Sequence, residues 1–254
     1  MITVSELYEK LDRAIPTSLS CEWDNDGLMC CPDPKRPVKR VLLALDITEK
    51  IVDRAIDEGF DVILSHHPLV FRPIPSLTTE APVPRKLIRL VQSGIAAMSF
   101  HTRFDTVKGG VNDALAETLG LGKVKPFGNE EGDMGRIGEV EPATLAEFAQ
   151  KVKQALGAPV VFASGDLPVK RVAILGGSGD DFISAAKKAG ADTYVSGDLA
   201  YHRMTDARED GINLIAAGHY YTENPSLPYL ARLVKEADGD IEITPAASVE
   251  IQTF

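Results

Sequence analysis

Apolar residues recur along the chain with two spacings, and their alternation sets the expected elements. Near the N-terminus, Thr3-Val-Ser-Glu6 reads as a capping box, in which a threonine hydroxyl and a glutamate three residues on satisfy orphan amides at a helix start. Leu7 and Leu11 follow at one-turn spacing. By such signals helices are expected near 3–14, 49–58, 84–93, 110–119, 144–156, 180–189, 204–209 and 226–236. Short apolar runs, of which Val41–Leu45 is typical, predict strands near 41–45, 61–65, 95–100, 136–140, 160–163, 169–175, 192–196, 212–217, 240–244 and 247–252. Strands alternating with helices place the chain in the α/β class, with mostly parallel sheets and right-handed crossovers. In such sheets ligands gather at the carboxyl ends of the strands.

The pattern also repeats. Val38–Val41 and Val169–Val172 are both VKRV, and the match continues without a gap through a strand, loop, helix and second strand. Ala55 falls on Ala186, Gly59 on Gly190, Asp61 on Asp192 and Ser65 on Ser196. The two glycines stand where a helix would end in a left-handed residue. Upstream, Thr144-Leu-Ala-Glu147 is a second capping box. Downstream, one inserted residue brings His101 over His219 and Asp105 over Glu223. An internal duplication is therefore expected, with repeats at 1–128 and 133–254 and a polar, glycine-bearing linker near Gly128–Asp133.

Composition narrows the class further. With 254 residues, 44% of them apolar and 25% charged, the chain can bury a sizeable core, which excludes disorder and collagen-like repetition. No apolar run approaches the roughly 18–20 residues of a membrane span. The first residues lack a basic segment, so no signal peptide is expected. Cys21, Cys30 and Cys31 are odd in number, lack CxxC spacing and suit a reduced, cytoplasmic setting. A formal charge of −10 disfavours nonspecific nucleic-acid binding, which needs clustered Lys and Arg.

Five histidines carry the candidate chemistry, each placed after an apolar strand or in its connecting loop: His66, His67, His101, His202 and His219. Asp105, Asp198 and Glu223 accompany them. On extended backbone, adjacent imidazoles point to opposite sides, so His66 and His67 suit two neighbouring metal ions better than one. A carboxylate such as Asp105 or Glu223 has two oxygens and can bridge such a pair. Imidazole with carboxylate favours Zn, Mn, Fe, Co or Ni over Mg or Ca. His101 is open to three roles: ligand, acid/base group, or a donor that orients Asp105. His202, in a Tyr-His-Arg loop, reads as structural. Leu175–Gly179 reads as a tight turn, because Asp180 and Asp181 would repel a phosphate there. Lys108–Gly110, before a helix start, is a second candidate anion site. No Gly-x-Ser-x-Gly elbow is present.

Four segments together resemble one known family. Glu22–Leu28 (EWDNDGL), Ser65–Pro68 (SHHP), His101–Asp105 running into Gly109–Asp113 (GGVND), and Gly218–Glu223 (GHYYTE) occur in order across nearly the whole chain. They are similar to the motifs of the GTP cyclohydrolase I type 2 homologue family, also called dinuclear metal centre proteins. The resemblance implies two similar, intertwined α/β halves with a dimetal site between them. It implies His66, His67, Asp105, His219 and Glu223 as ligands of two divalent ions per chain, and a homo-oligomer, often a ring-shaped hexamer. The chain is short for the family and lacks the domain that longer members insert between the halves. Arg103 stands where the family often has Asn, which would alter the charge beside the metals. Cys30 and Cys31 lie outside the family pattern.

These readings lead to a metal-dependent hydrolase acting on a purine nucleotide such as GTP, with His101 as candidate proton shuttle. The alternative is a non-enzymatic metal-handling or regulatory ring. A DNA-binding ring is disfavoured by the −10 charge.

Overall fold

The chain opens with a helix closed by its own sequence. In α1 (Val4–Ala14) the Thr3 hydroxyl accepts from the Glu6 amide, and the Glu6 carboxylate accepts in return from the Thr3 amide at 2.8 Å. The computed structural model describes residues 1–130, 132–248 and 251. After α1 come β1 (Gly27–Cys30), β2 (Arg40–Ala44), α2 (Glu49–Asp57), β3 (Val62–Ser65), α3 (Pro82–Ser93), β4 (Ala96–Ser99) and α4 (Thr102–Thr106). Next are α5 (Val111–Leu119), β5 (Gly122–Asn129), β6 (Gly132–Ala143), α6 (Leu145–Leu156), β7 (Phe162–Ser164) and β8 (Val169–Ser178). The described chain ends with α7 (Ile183–Lys188), β9 (Thr193–Asp198), α8 (Tyr201–Asp210), β10 (Asn213–Ala216), α9 (His219–Glu223), α10 (Leu227–Ala237) and β11 (Glu242–Pro245).

Two packing units result. The first holds Met1–Phe104 and regains the chain at Leu227, so α10 and β11 belong to it; the second holds Asp105–Ser226. The first unit's sheet has the order β1-β4-β3-β2-β11, parallel from β4 to β11, with β1 antiparallel at its edge. Its core is built by Leu42, Val52, Phe60, Ile63, Leu90 and Ala97. Apolar residues at helical spacing, such as Ile51, Val52 and Ala55 of α2, meet the strands here.

The second unit's sheet runs β5-β6-β8-β9-β10-β7. Only β8-β9 and β9-β10 pair in parallel; β5-β6, β6-β8 and β10-β7 are antiparallel. This sheet is mixed, not mostly parallel, because a hairpin and the short edge strand β7 join a parallel centre. Leu115, Phe148, Val172, Ile174, Val195 and Ile215 form its core.

The described residues of the expected linker, Gly128–Glu130 and Gly132–Asp133, instead belong to the β5-β6 hairpin, with Asn129 opposite Gly132. Polar residues and glycine mark linkers and hairpin turns alike. The repeats expected at 1–128 and 133–254 therefore do not coincide with the packing units. Of the strand expected over 247–252, residues 249, 250 and 252 lie outside those described, and 247, 248 and 251 are not in a strand.

Several paired positions nevertheless behave alike. Gly59 and Gly190 follow α2 and α7 with φ of +70° and +86°. Asp61 Oδ2 accepts from the amides of Lys39 and Arg40 at 2.8 and 3.0 Å. Asp192 Oδ2 does the same with Lys170 and Arg171, at 3.0 and 2.8 Å.

Candidate metal centre

In the first unit, three imidazoles gather at the carboxyl ends of β3 and β4. His66 and His67 follow Ser65, and His101 lies just past Phe100. Main-chain bonds carry the pairing beyond the strands: His67 N donates to Leu45 O (2.9 Å) and Phe100 N to Ser65 O (3.0 Å). Ser65 Oγ donates to His67 O at 2.7 Å, which turns the chain at the pair. The ring centroids lie 4.9 Å (His66–His67), 5.3 Å (His66–His101) and 5.7 Å (His67–His101) apart. Each ring offers a ligand atom within 4.8 Å of the other two.

The second nitrogen of each ring is already engaged. His66 Nδ1 bonds the Phe100 carbonyl at 2.9 Å, His67 Nδ1 bonds Asp46 Oδ1 at 2.7 Å, and His101 Nδ1 bonds Asp24 Oδ1 at 2.8 Å. A carbonyl or carboxylate oxygen only accepts, so Nδ1 carries the hydrogen and Nε2 keeps its lone pair. This is the tautomer a metal needs, fixed by the carboxylate or carbonyl partner that ligating histidines usually have. His66 is fully buried; the His67 and His101 side chains retain 22% and 18% exposure, which leaves the cluster reachable.

The second unit holds another donor set. His219 Nδ1 donates to Asp198 Oδ2 at 2.7 Å, and its Nε2 lies 3.1 Å from Glu223 Oε1, one turn along α9. Asp105 offers an oxygen within 4.8 Å of one from Glu223. Burial pulls the His219 pKa down, but the hydrogen bonds to Asp198 and Glu223 outweigh it and raise it to about 10. A proton held between two carboxylates marks a place suited to a cation, since metal binding to imidazole releases that proton. Gly177 opens the space: at φ +70°, an added Cβ would lie 2.3 Å from Glu223 Oε1 and 3.1 Å from His219 Nε2. Imidazole and carboxylate donors of this kind fit a divalent transition ion.

His219 and Glu223 sit one turn apart on the short helix α9, whereas His101 lies just before α4, which carries Asp105. His202 takes no part in either set: it is exposed on the surface of α8, not in a loop. Leu175–Ser178 continues β8 and is not a turn. The Lys108–Gly110 site is filled by the protein itself, because Asp113 Oδ2 accepts from Gly109 N at the start of α5. The charge of Arg103 is met by two carboxylates. Its guanidinium is fully buried against Asp26 (2.9 Å) and Asp12 (2.6 Å) and lies over the Phe100 ring. Burial pushes the Cys30 thiol up to about 11 and raises Cys31 as well, so neither is a ready thiolate at neutral pH.

Sequence reasoning assigned no role to Asp24, Asp26 or Asp46. Asp24 Oδ2 also accepts from Thr102 N (3.1 Å) and Thr102 Oγ1 (2.6 Å), while Asp26 Oδ2 accepts from His101 N at 3.0 Å. The signal that could have found them is the run of acids in Glu22–Asp26, and an acid directly after the strand at Asp46.

Residues 2–251 match the model of the Duf34/NIF3 (NGG1p interacting factor 3) family. A Clostridium perfringens protein called GTP cyclohydrolase 1 type 2 homolog is 38% identical over 248 residues, covering 94% of each chain. The crystal structure of Staphylococcus aureus hypothetical protein SA1388 superposes with a TM-score of 0.90 at 28% identity, covering 100% of this chain and 99% of that one. Reduced HcgD from Methanocaldococcus jannaschii gives a TM-score of 0.83 at 30% identity, over 96% and 97% of the chains.

Proposed function

Because the chain belongs to the Duf34/NIF3 family, we propose that it binds two divalent metal ions and uses them to hydrolyse a purine nucleotide such as GTP. The observation that carries this reading is the set of three imidazoles, His66, His67 and His101, each with Nδ1 held by an oxygen acceptor. Asp105, His219 and Glu223 are the further donors. Bound divalent ions supply Lewis acidity and activate water for attack. His66 and His67, whose tautomers are fixed, hold rather than move protons. His101 is the proton carrier: Asp24 Oδ1 accepts from its Nδ1 and so orients its Nε2, the pairing that serves general acid–base work. The printed name of the C. perfringens relative supports the choice of nucleotide.

The test is turnover. Protein loaded with Zn, Mn or Fe is incubated with GTP, and the purine absorbance and released products are followed. Turnover is expected, with a loss of about 100-fold or more in His101→Ala while that variant keeps its metal. If His101→Ala loses metal as well, His101 is a ligand. Metal-replete protein without turnover on any purine nucleotide refutes the enzyme.

A further inference from the structure

A cavity of about 630 Å³ opens in the first unit at the carboxyl ends of β2 and β3. Its lining includes Asp46, Thr48, His67, Phe71, Arg72 and Lys86. That is the edge where open parallel sheets bind ligands, and the volume is ordinary for a small-molecule site. It shares His67 with the imidazole cluster.

Two features give the cavity a chemical preference. Arg72 and Lys86 bring two cations to the lining in a chain whose net charge is −10. Phe71 is 42% exposed, and nearby Trp23 is 52% exposed, although both are large apolar rings. Their centroids are 6.1 Å apart, and they lie 6.1 Å and 6.4 Å from the His101 ring. The loops that carry them are tied together, since Asn25 Nδ2 donates to Val70 O. Exposed rings held in fixed positions offer stacking surface to a flat, π-rich ligand. Phe71 lines the cavity, and Trp23 packs beside it.

We propose that this cavity binds a nucleotide, with its base against Phe71 and Trp23 and its phosphate against Arg72 and Lys86. The choice of a purine ligand rests on the hydrolase reading above; the aromatic-plus-anion chemistry does not. Arg72 supplies planar donors that match phosphate oxygens. Lys86 is already anchored, its Nζ donating to Ile47 O at 2.6 Å, so it presents its charge from a fixed place.

Trp23 is the only tryptophan, so the protein's indole fluorescence reports on this loop alone. Chelator-treated protein is titrated with GMP, with guanosine and inorganic phosphate as one-sided probes, and equilibrium dialysis with labelled GMP reads binding independently of fluorescence. GMP is expected to quench saturably, with a Kd at least tenfold below that of either probe. Phe71→Ala is expected to weaken GMP about tenfold with phosphate unchanged. Arg72→Glu is expected to weaken GMP by a similar factor with guanosine unchanged. Absence of GMP binding by both methods, in metal-free and metal-loaded protein, overturns the proposal, as does GMP binding that survives both substitutions. Metal content is measured on the same samples: wild type without metal refutes the metal reading, whereas metal-replete protein without GMP binding refutes this one alone.

Discussion

Asp24 grips His101 across 77 residues of sequence, its Oδ1 accepting from the imidazole Nδ1 at 2.8 Å. Its other oxygen takes the amide and hydroxyl of Thr102, so one carboxylate sets both the ring's tautomer and the start of α4. Burial works against ionisation of Asp24, but the hydrogen bonds from His101 and Thr102 outweigh it and hold its pKa at about 2. The EWDNDG segment thus acts as the clamp behind the imidazole cluster.

Asp24→Asn should therefore lower turnover by about 100-fold, as expected for His101→Ala, while metal affinity stays unchanged. The fold should survive, because an amide oxygen still accepts from Thr102. Chelator competition measures the affinity, and circular dichroism reports the fold. Unchanged turnover would mean that Asp24 does not serve His101, and a fall in metal affinity would make His101 a ligand.

Gly177→Ala offers a second check. Both Gly177 and Gly59 have φ of +70°, so alanine costs a similar ~1–2 kcal/mol of backbone strain at either place. Only at Gly177 does the new methyl meet Glu223 and His219; at Gly59 nothing lies within 4 Å. Thermal unfolding should thus show a loss in both variants, whereas metal content should fall only in Gly177→Ala.

Arg103 holds the clamp from inside. Replacing it with Met would leave Asp26, 3% exposed, as a buried carboxylate without its cation. A loss of about 3–5 kcal/mol is expected by urea unfolding, the usual cost of removing one partner from a buried pair. A loss below about 1 kcal/mol would show that the ion pair is not what holds the segment.

Acid stability should depend on Asp61. Burial opposes its ionisation, but the amides of Lys39 and Arg40 and the Arg36 guanidinium outweigh it and keep the pKa below the ordinary range. A carboxyl depressed in the folded state contributes stability that is complete above the unfolded value of about 4. That contribution is lost as pH falls through the lower folded value. Asp61→Asn should be less stable than wild type at pH 7, and the gap should narrow on descending from about pH 5 into that range. A gap independent of pH would contradict this.

Most helices were legible because their signals are local. Thr3 and Thr144 cap α1 and α6 with the glutamates three residues on, as the sequence predicts. β5 escaped because most of its side chains, such as Lys123, Val124 and Lys125, are exposed and it contains Pro126, so it carries no apolar alternation. β1 is only four residues long and follows a run of acids. The donors His66, His67, His219 and Glu223 could be picked out because each ends a strand or begins the segment after it. Asp24 and Asp46 could not be assigned in the same way, since their roles exist only once the fold brings them to histidines 77 and 21 residues away. Arg103 misled for the same reason: sequence places it two residues from His101, but its side chain is buried against Asp12 and Asp26.

The most direct measurement is metal per chain by elemental analysis, on protein purified without chelator, with wild type and His66→Ala side by side. About two equivalents in wild type and a clear loss in His66→Ala, both folded by circular dichroism, are expected from the donor sets described. Wild-type protein that takes up no metal, even after incubation with Zn or Mn, would contradict the account and leave the histidines as structural residues.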